Sequence, residues 1–249
     1  LGKYHTPKAQ LALLMSDRMV RLGGWPWEYD AAVNLPSGYW AWDLPRLLLP
    51  EYPREGVDEG DFETGRSSRY RVILDTNTSV MDADLLKGIE AYVRAGGIFV
   101  TFAQSGRHSS TSQDAWPISR LTGYRVTKID PHNEQGQIYH DRKLLAAVAQ
   151  EVFRGDWSTV PHANGLTLRK DTADCQDLLM WADGGVAVGM RKLGKGWIVH
   201  NGVKFAHDRG CGNWTSARRF LGELLTWAGL TRVPATAQGV LLRHFVSNN

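Results

Sequence analysis

The sequence predicts an α/β fold in which a parallel sheet carries helices on both faces and continues into an antiparallel extension. Two segments predict it. Residues 70–103 have the order strand, helix, strand, and their continuously apolar strands are typical of a parallel sheet that helices cover on both sides. Residues 177–201 contain three short strands separated by glycine-containing turns, which is the pattern of an antiparallel meander.

The composition is that of a globular domain. Of the 249 residues, 43% are hydrophobic and 22% are charged, so the chain is long and apolar enough to bury a core. Its 29 basic and 26 acidic residues leave a net charge of +3, and the scattered Lys and Arg form no concentrated basic face. No apolar run approaches the roughly 18–20 residues that span a bilayer. We therefore expect one domain, residues 1–249, that binds neither nucleic acid nor membrane.

The first part of the chain predicts one strand followed mostly by loops. Residues 10–15 form an apolar strand, and residues 23–37 form a loop rich in Gly, Trp and Pro. Residues 39–49 predict a short helix with Pro45 in its first turn, where proline is tolerated. Residues 51–68 are acidic and rich in turn residues, so we expect a surface connection there.

The next unit carries the strongest pattern. Residues 70–75 predict a strand, residues 84–94 a helix capped by Ser79 or Asp82, and residues 98–103 a second strand. The helical apolar stripe consists of Leu85, Leu86, Ile89 and Val93. The remaining predicted elements are a short helix near 117–121, a strand over 124–129, an amphipathic helix over 141–153, the meander strands 177–181, 185–190 and 196–200, a helix capped by Asn213 or Thr215 that runs to Trp227 with Gly229 as its stop, and a final strand over 239–245.

Several of these segments resemble one known family. They are 57–62 (VDEGDF), 70–75 (YRVILD), 81–84 (MDAD), 89–100 (IEAYVRAGGIFV), 181–188 (WADGGVAV) and 193–199 (LGKGWIV). Together they are similar to the glutamine-amidotransferase-like domain of microbial β-galactosidases, which is called the trimerisation domain. The resemblance covers roughly residues 10–245 and implies a flavodoxin-like or amidotransferase-like three-layer sandwich. It also implies a position after a catalytic barrel in a longer carbohydrate-active protein. That barrel is not in this chain.

The resemblance implies a role without catalysis. A class I amidotransferase places a Cys nucleophile on the sharp turn after a strand like 98–103, where backbone amides stabilise the oxyanion. The match puts Ala103 at that position, and an alanine offers no nucleophile. We therefore expect an accessory or oligomerisation module, whose partners are further copies of the chain or a missing catalytic domain.

A stand-alone amidohydrolase or esterase is the alternative. Ser105 follows Ala103 by two residues, and residues 202–208 (GVKFAHD) faintly resemble the amidotransferase segment that supplies the base and its orienter. Ser105, His207 and Asp208 would then serve as nucleophile, base and orienter. The pattern G-x-S-x-G is absent, however, and adjacent His and Asp side chains after a strand tend to diverge, which favours a polar loop.

Four tryptophans stand in the connection that follows the first strand, at Trp25, Trp27, Trp40 and Trp42. Loops that follow strands line the ligand-facing edge of an open α/β sheet. Each indole can bury about 150–250 Å², and a loop has little core of its own to receive that area. We expect these rings to contact a carbohydrate, a second subunit or a missing domain, with burial between domains as the open alternative. We predict no cofactor and no metal, because the histidines show no ligand-pair spacing on a helix.

The ends of the chain and its two cysteines give indications about the longer polypeptide and its compartment. The chain begins without an initiator Met and stops after an apolar run, so we expect a piece excised from a longer polypeptide. Because a removed leader leaves no trace, an extracellular or periplasmic location is favoured only slightly. Cys175 and Cys211 are too few for a disulfide scaffold or a four-thiolate zinc site. The sequence leaves two alternatives open: the two cysteines form one disulfide bridge, or they remain two inert thiols.

Overall fold

The structure is a computed structural model. It describes residues 4–5, 9–21, 29–30, 35–36, 52–75, 78–102, 104–130, 142–160, 163–205, 214–232 and 246–247. The strands are β1 Tyr4–His5, β2 Leu11–Leu14, β3 Tyr29–Asp30, β4 Leu35–Pro36, β5 Arg54–Val57, β6 Val72–Asp75, β7 Ile98–Phe102, β8 Tyr124–Ile129, β9 Ala163–Lys170, β10 Cys175–Met180, β11 Val186–Leu193, β12 Gly196–Asn201, β13 Val203–Phe205 and β14 Val246–Ser247. The helices are α1 Asp17–Arg21, α2 Glu59–Glu63, α3 Ala83–Ala95, α4 Ser119–Thr122 and α5 Trp214–Trp227, with a 3-10 turn at Arg66–Arg69.

Ten strands form one mixed sheet. Its central order is β13-β9-β11-β12-β7-β6-β2-β5, with β10 paired to β11 and β8 paired to β9. The strands from β12 to β5 run parallel, and the others join antiparallel. The parallel pairing of β6 with β7 confirms the predicted strand–helix–strand unit, and the meander β10-β11-β12 is confirmed as the antiparallel extension.

The sheet separates two apolar layers. Along β7, the side chains of Ile98, Val100 and Phe102 lie in the larger core cluster, whereas Phe99 lies in the smaller one. This alternation follows from the two-residue period of a strand. Helix α5 contributes its buried face to the larger cluster, and α3 contributes its apolar stripe to the smaller one. The fold is therefore a three-layer α/β sandwich of the flavodoxin-like type, as the sequence predicts.

One glycine permits the layers to approach closely. Gly196 begins β12 beside the end of α3, and a Cβ atom there would lie 2.1 Å from the carbonyl oxygen of Gly97 and 2.2 Å from that of Val93. No real Cβ atom tolerates a backbone contact that short. The junction between the meander and the parallel sheet therefore requires a residue without a side chain.

The helix predicted over residues 141–153 is wrong. The described part of this segment is extended and irregular, and its backbone pairs with the antiparallel extension. The amide of Leu145 donates to the carbonyl of Met180 at 2.9 Å, and the amide of Val148 donates to the carbonyl of Leu178 at 3.0 Å. These bonds satisfy the outer edge of β10, so pairing with a distant strand replaces the local helical bonds.

The surface connection predicted over residues 51–68 is also wrong in part. Strand β5 lies within it and pairs in parallel with β2 at one end of the described sheet order. Helix α2 follows, and Asp58 and Asp61 form a reciprocal capping box at its first turn. The apolar pattern did not reveal the strand, because only Val57 of its four residues is a buried apolar side chain.

Several other predicted elements agree with the structure, and two lie in segments that it does not describe. Strands β2 and β8, helix α5 and the stop at Gly229, whose φ is +86°, agree with the sequence. The predicted helix over 39–49 and the strand over 239–245 lie outside the described residues. Among the helices that the structure describes, none combines the length and the apolar character needed to cross a membrane.

Candidate functional site

Loops that follow β6 and β7 meet at the carboxyl edge of the parallel sheet, where ligands bind in open α/β folds. The amide of Gly106 donates to the carbonyl of Thr78 at 2.8 Å, and the amide of His108 donates to the carbonyl of Ser79 at 2.9 Å. The amide of Met81 returns a bond to the carbonyl of His108 at 3.0 Å. The two loops therefore continue the parallel pairing beyond the sheet and form a fixed rim.

A cleft of about 830 Å³ opens beside this rim, between the loop after β7, the first turn of α3 and helix α1. Its polar lining consists of Arg18, Asp82, Asp84, Ser109, Ser110, Thr111 and Arg120, and its apolar lining consists of Met81, Ala83, Leu86, Ala115, Trp116 and Pro117. Polar and apolar groups thus share one concave surface.

Arg18 connects helix α1 to the first turn of α3. Its Nη1 lies 2.7 Å from a carboxylate oxygen of Asp82, and its Nη2 lies 2.9 Å from one of Asp84. The hydrogen bond from Arg18 lowers the pKa of Asp84 below its ordinary value. Asp82 also accepts the backbone amide of Ser110 at 2.8 Å. The carboxylates therefore hold the arginine and the loop after β7 together around the cleft.

Trp116 stands on a loop whose backbone is unusual. Its φ is +46°, and that of Asp114 is +53°, so both residues occupy the left-handed region that non-glycine residues rarely adopt. The carboxylate of Asp114 pairs with the buried guanidinium of Arg107, which lowers the pKa of Asp114. The amide of Trp116 donates to the carbonyl of Arg107 at 2.9 Å, and that of Asp114 donates to Nδ1 of His108 at 3.0 Å. These contacts impose the backbone conformation and fix the position of the indole.

Sequence reasoning did not find this cleft. Arg18, Asp82, Asp84 and Trp116 lie in three separate polar segments, and their convergence depends on the register of β2, β6 and β7. The one available signal was an isolated tryptophan in a polar loop after a buried strand, at the ligand-facing edge of the sheet.

Ser105 is not exposed to a substrate. Its side chain is fully buried, and its hydroxyl donates to the carbonyl of Phe102 at 2.7 Å while accepting the amide of Phe102 at 2.9 Å. The hydroxyl therefore closes the turn after β7. Ala103, His207 and Asp208 lie outside the described residues, so the predicted catalytic set stays a prediction.

The other predicted site residues are placed only in part. Trp25, Trp27, Trp40 and Trp42 lie outside the described residues, and so does Cys211. Cys175 is a buried free thiol, and burial raises its pKa, which makes it a poor nucleophile. Within the ranges that the structure describes, no group of three or more His, Cys, Asp or Glu side chains is arranged to hold a metal ion.

The fold is shared with parts of larger enzymes. The chain is similar to a β-galactosidase from Bacillus circulans sp. alkalophilus, with a TM-score of 0.73 and 15% identity over 96% of this chain and 34% of that one. A cold-adapted β-galactosidase from Rahnella sp. R3 gives a TM-score of 0.69 and 15% identity over 92% and 32% of the two chains. The chain therefore spans about a third of these enzymes.

A third similar structure is a ThuA-like protein from Bacteroides uniformis ATCC 8492, with a TM-score of 0.55 and 14% identity over 90% of this chain and 94% of that one. No family model matches the chain, and no curated protein matches it. At these identities the likeness shows the fold alone. The resemblance that the sequence suggests is confirmed at that level, as a flavodoxin-like α/β domain also found in β-galactosidases.

Proposed function

We propose that the chain is a non-catalytic accessory module of a larger carbohydrate-active protein, in which it brings subunits together. The observation that carries the proposal is the turn after β7. An acyl-transfer enzyme of this fold needs an exposed nucleophile there. In this chain the position carries Ala103, and the next hydroxyl, that of Ser105, is buried and bonded to the strand end.

The energetics of Ser105 support a structural role. The hydroxyl makes two hydrogen bonds with the backbone of Phe102, each contributing about 0.5–1.5 kcal/mol to stability. To attack a substrate, the side chain would have to break both bonds and leave a fully buried position. A nucleophilic serine that is activated by a general base normally lies at the surface of its active site, within hydrogen-bond distance of that base.

The fold likeness supports the accessory role. The chain corresponds to about a third of the β-galactosidase chains, so in those enzymes this fold occurs beside much additional polypeptide. The ThuA-like protein shows that the same fold also makes up most of a shorter chain. The fold alone is therefore compatible with a module of a larger protein and with a stand-alone domain. The turn after β7, which offers no exposed nucleophile, favours the accessory module.

Assays of turnover test the absence of catalysis. We expect the purified chain to release no ammonia from glutamine above background and to hydrolyse no member of a panel of aryl esters and anilides. The Ser105→Ala variant and the matched control Ser109→Ala, on the cleft loop, should give the same background. Hydrolysis that is lost in Ser105→Ala and kept in Ser109→Ala would overturn the proposal in favour of the hydrolase.

A further inference from the structure

We propose that the cleft between α1, α3 and the loop after β7 binds a neutral saccharide, with Trp116 as its stacking platform. The inference rests on the proposed function only in the choice of ligand class. It is independent of whether the module brings subunits together. Three properties of the cleft support a saccharide: its charge, the placement of its aromatic ring and its size.

The charges of the cleft balance. Arg18 and Arg120 stand against Asp82 and Asp84, and both arms of the Arg18 guanidinium already contact carboxylates. A charged ligand would have to compete with these ion pairs. A hydroxyl group can instead bind to the free lone pairs of a carboxylate, since an ionised carboxylate offers about four acceptor sites. The side chain of Asp84 is 50% exposed, so its oxygens remain accessible to a ligand.

An anionic ligand fits this cleft poorly. The first turn of α3 lines it, and the amino end of a 13-residue helix would ordinarily attract an anion. Here Asp82 stands at the N-cap position, without a side-chain capping bond, and Asp84 lies in the first turn, so two carboxylates already lie at the end of the helix that favours negative charge. The site therefore disfavours phosphate esters and favours a neutral ligand.

Trp116 supplies the apolar part of the site. Its indole is half-buried against a small apolar cluster and also lines the cleft. A pyranose ring has an apolar face of C–H groups that covers an aromatic ring while its hydroxyls point to the side, here toward Asp84, Arg120 and the hydroxyls of Ser109 and Thr111. The Arg107–Asp114 pair fixes the loop before the ligand arrives, so binding loses less conformational entropy.

The size of the cleft agrees with a small saccharide. Small-molecule sites occupy about 300–1,000 Å³, and the cleft measures about 830 Å³. Its open side and its mixed lining suit a ligand that exposes hydroxyl groups to water. We therefore expect a disaccharide to occupy it better than a single sugar ring.

Amide correlation spectra of the isotope-labelled chain test this inference. The probes are lactose, cellobiose and maltose as neutral disaccharides, with glucose 6-phosphate as the anionic contrast and adenosine as a neutral aromatic contrast. We expect at least one disaccharide to shift the amide signals of residues 82–86 and 109–120, and the two contrasts to leave them in place. Stronger binding of glucose 6-phosphate or adenosine at the same amides would overturn the neutral-saccharide assignment.

Three variants separate the cleft from the rest of the surface. Trp116→Ala should weaken disaccharide binding about tenfold or more, as for other central aromatic contacts. Its matched control is Trp197→Ala, a half-buried indole at the start of β12, which should bind like the original chain. Asp84→Asn changes a half-exposed side chain, so it keeps the test valid if Trp116→Ala fails to fold, and it should weaken binding several-fold.

Two further results would overturn the inference: no disaccharide shifts these amides at millimolar concentrations, or binding is equal in Trp116→Ala, Asp84→Asn and the original chain. Either result, together with retained self-association, would leave the proposed function in place. The converse result, saccharide binding by a chain that stays monomeric, would support the cleft and contradict the role in association.

Discussion

Acid should destabilise the protein through one histidine inside the sheet. His200 lies on β12 beside Thr101 of β7 and is 1% exposed. Its Nδ1 is 3.2 Å from the hydroxyl of Thr122, and its Nε2 has no hydrogen-bond partner in the described structure. Burial lowers the pKa of His200 from 6.5 to about 4, because none of the described residues offers a charge that compensates for the lost hydration of the imidazolium.

The size of the effect follows from proton linkage. Between about pH 6.5 and about pH 4 the unfolded chain binds a proton at His200 that the folded chain does not, so stability rises with pH in this window. The contribution of the neutral imidazole is complete above about pH 6.5 and is lost as the pH falls toward 4. We expect His200 to lower the free energy of unfolding by about 2 kcal/mol at about pH 5.

The variant His200→Gln isolates the contribution of His200 to the pH dependence of the free energy of unfolding. Glutamine cannot titrate, and its amide can still hydrogen-bond with the hydroxyl of Thr122. Urea unfolding of both proteins at about pH 7 and about pH 5 gives the two pH differences. The original chain should lose about 2 kcal/mol more than the variant, since the carboxylates that titrate in the same pH range are common to both proteins.

Equal pH dependence in the original chain and His200→Gln would refute the reasoning. It would mean that the imidazole gains its proton without loss of stability, and hence that water or a counter-charge reaches it in the folded protein. That result would contradict the burial of the His200 ring beside Thr122 of α4.

Three further substitutions test other parts of the account. Gly196→Ala should lower the free energy of unfolding by about 1–3 kcal/mol in urea titrations, because its Cβ would overlap the carbonyl oxygens at the end of α3, whereas Gly56→Ala on the edge strand should be tolerated. Arg142→Ala should cost about 2 kcal/mol in the same assay, since the buried carboxylate of Asp130 would keep the exposed ammonium of Lys128 at 3.4 Å but lose its guanidinium partner. Trp40→Ala should change the melting temperature by only a few degrees and weaken self-association or oligosaccharide binding in sedimentation and titration experiments.

Each of these has an outcome that contradicts it. Unchanged stability in Gly196→Ala would mean that β12 and α3 are farther apart than described. Arg142→Ala should be compared with Arg125→Ala, whose exposed ion pair with Asp171 contributes at most about 1 kcal/mol. Equal losses in those two would show that burial of Asp130 does not matter. A large loss of stability in Trp40→Ala, with association and binding unchanged, would place that indole in the core.

The part of the fold that the sequence predicts is the part whose signals are local. The stripe on α3 and the apolar runs of β6 and β7 are complete within 70–103, because both patterns arise from neighbours in the chain. Residues 141–153 carry a helical pattern as well, yet the free edge of β10 offers their amides better partners. The choice between local helical bonds and pairing with a strand depends on β10, which lies more than 20 residues away. The local pattern of residues 141–153 carries no information about that strand.

The site was harder to predict than the fold for the same reason. The turn after β7 could be located from the strand before it, and the substitution of alanine at the nucleophile position was readable directly. The cleft depends on an ion pair between Arg18 and Asp84, which are 66 residues apart. It also depends on left-handed backbone at Asp114 and Trp116, a conformation that these residue types disfavour. The contacts with the buried Arg107 impose this conformation.

Sedimentation equilibrium of the 27.8 kDa chain tests the central claim most directly, because the proposed module acts by bringing subunits together. We expect a reversible equilibrium in which the average mass of the protein rises with concentration, over the micromolar range, to a whole-number multiple of the monomer mass. A monomer at every concentration, up to hundreds of micromolar, would contradict it.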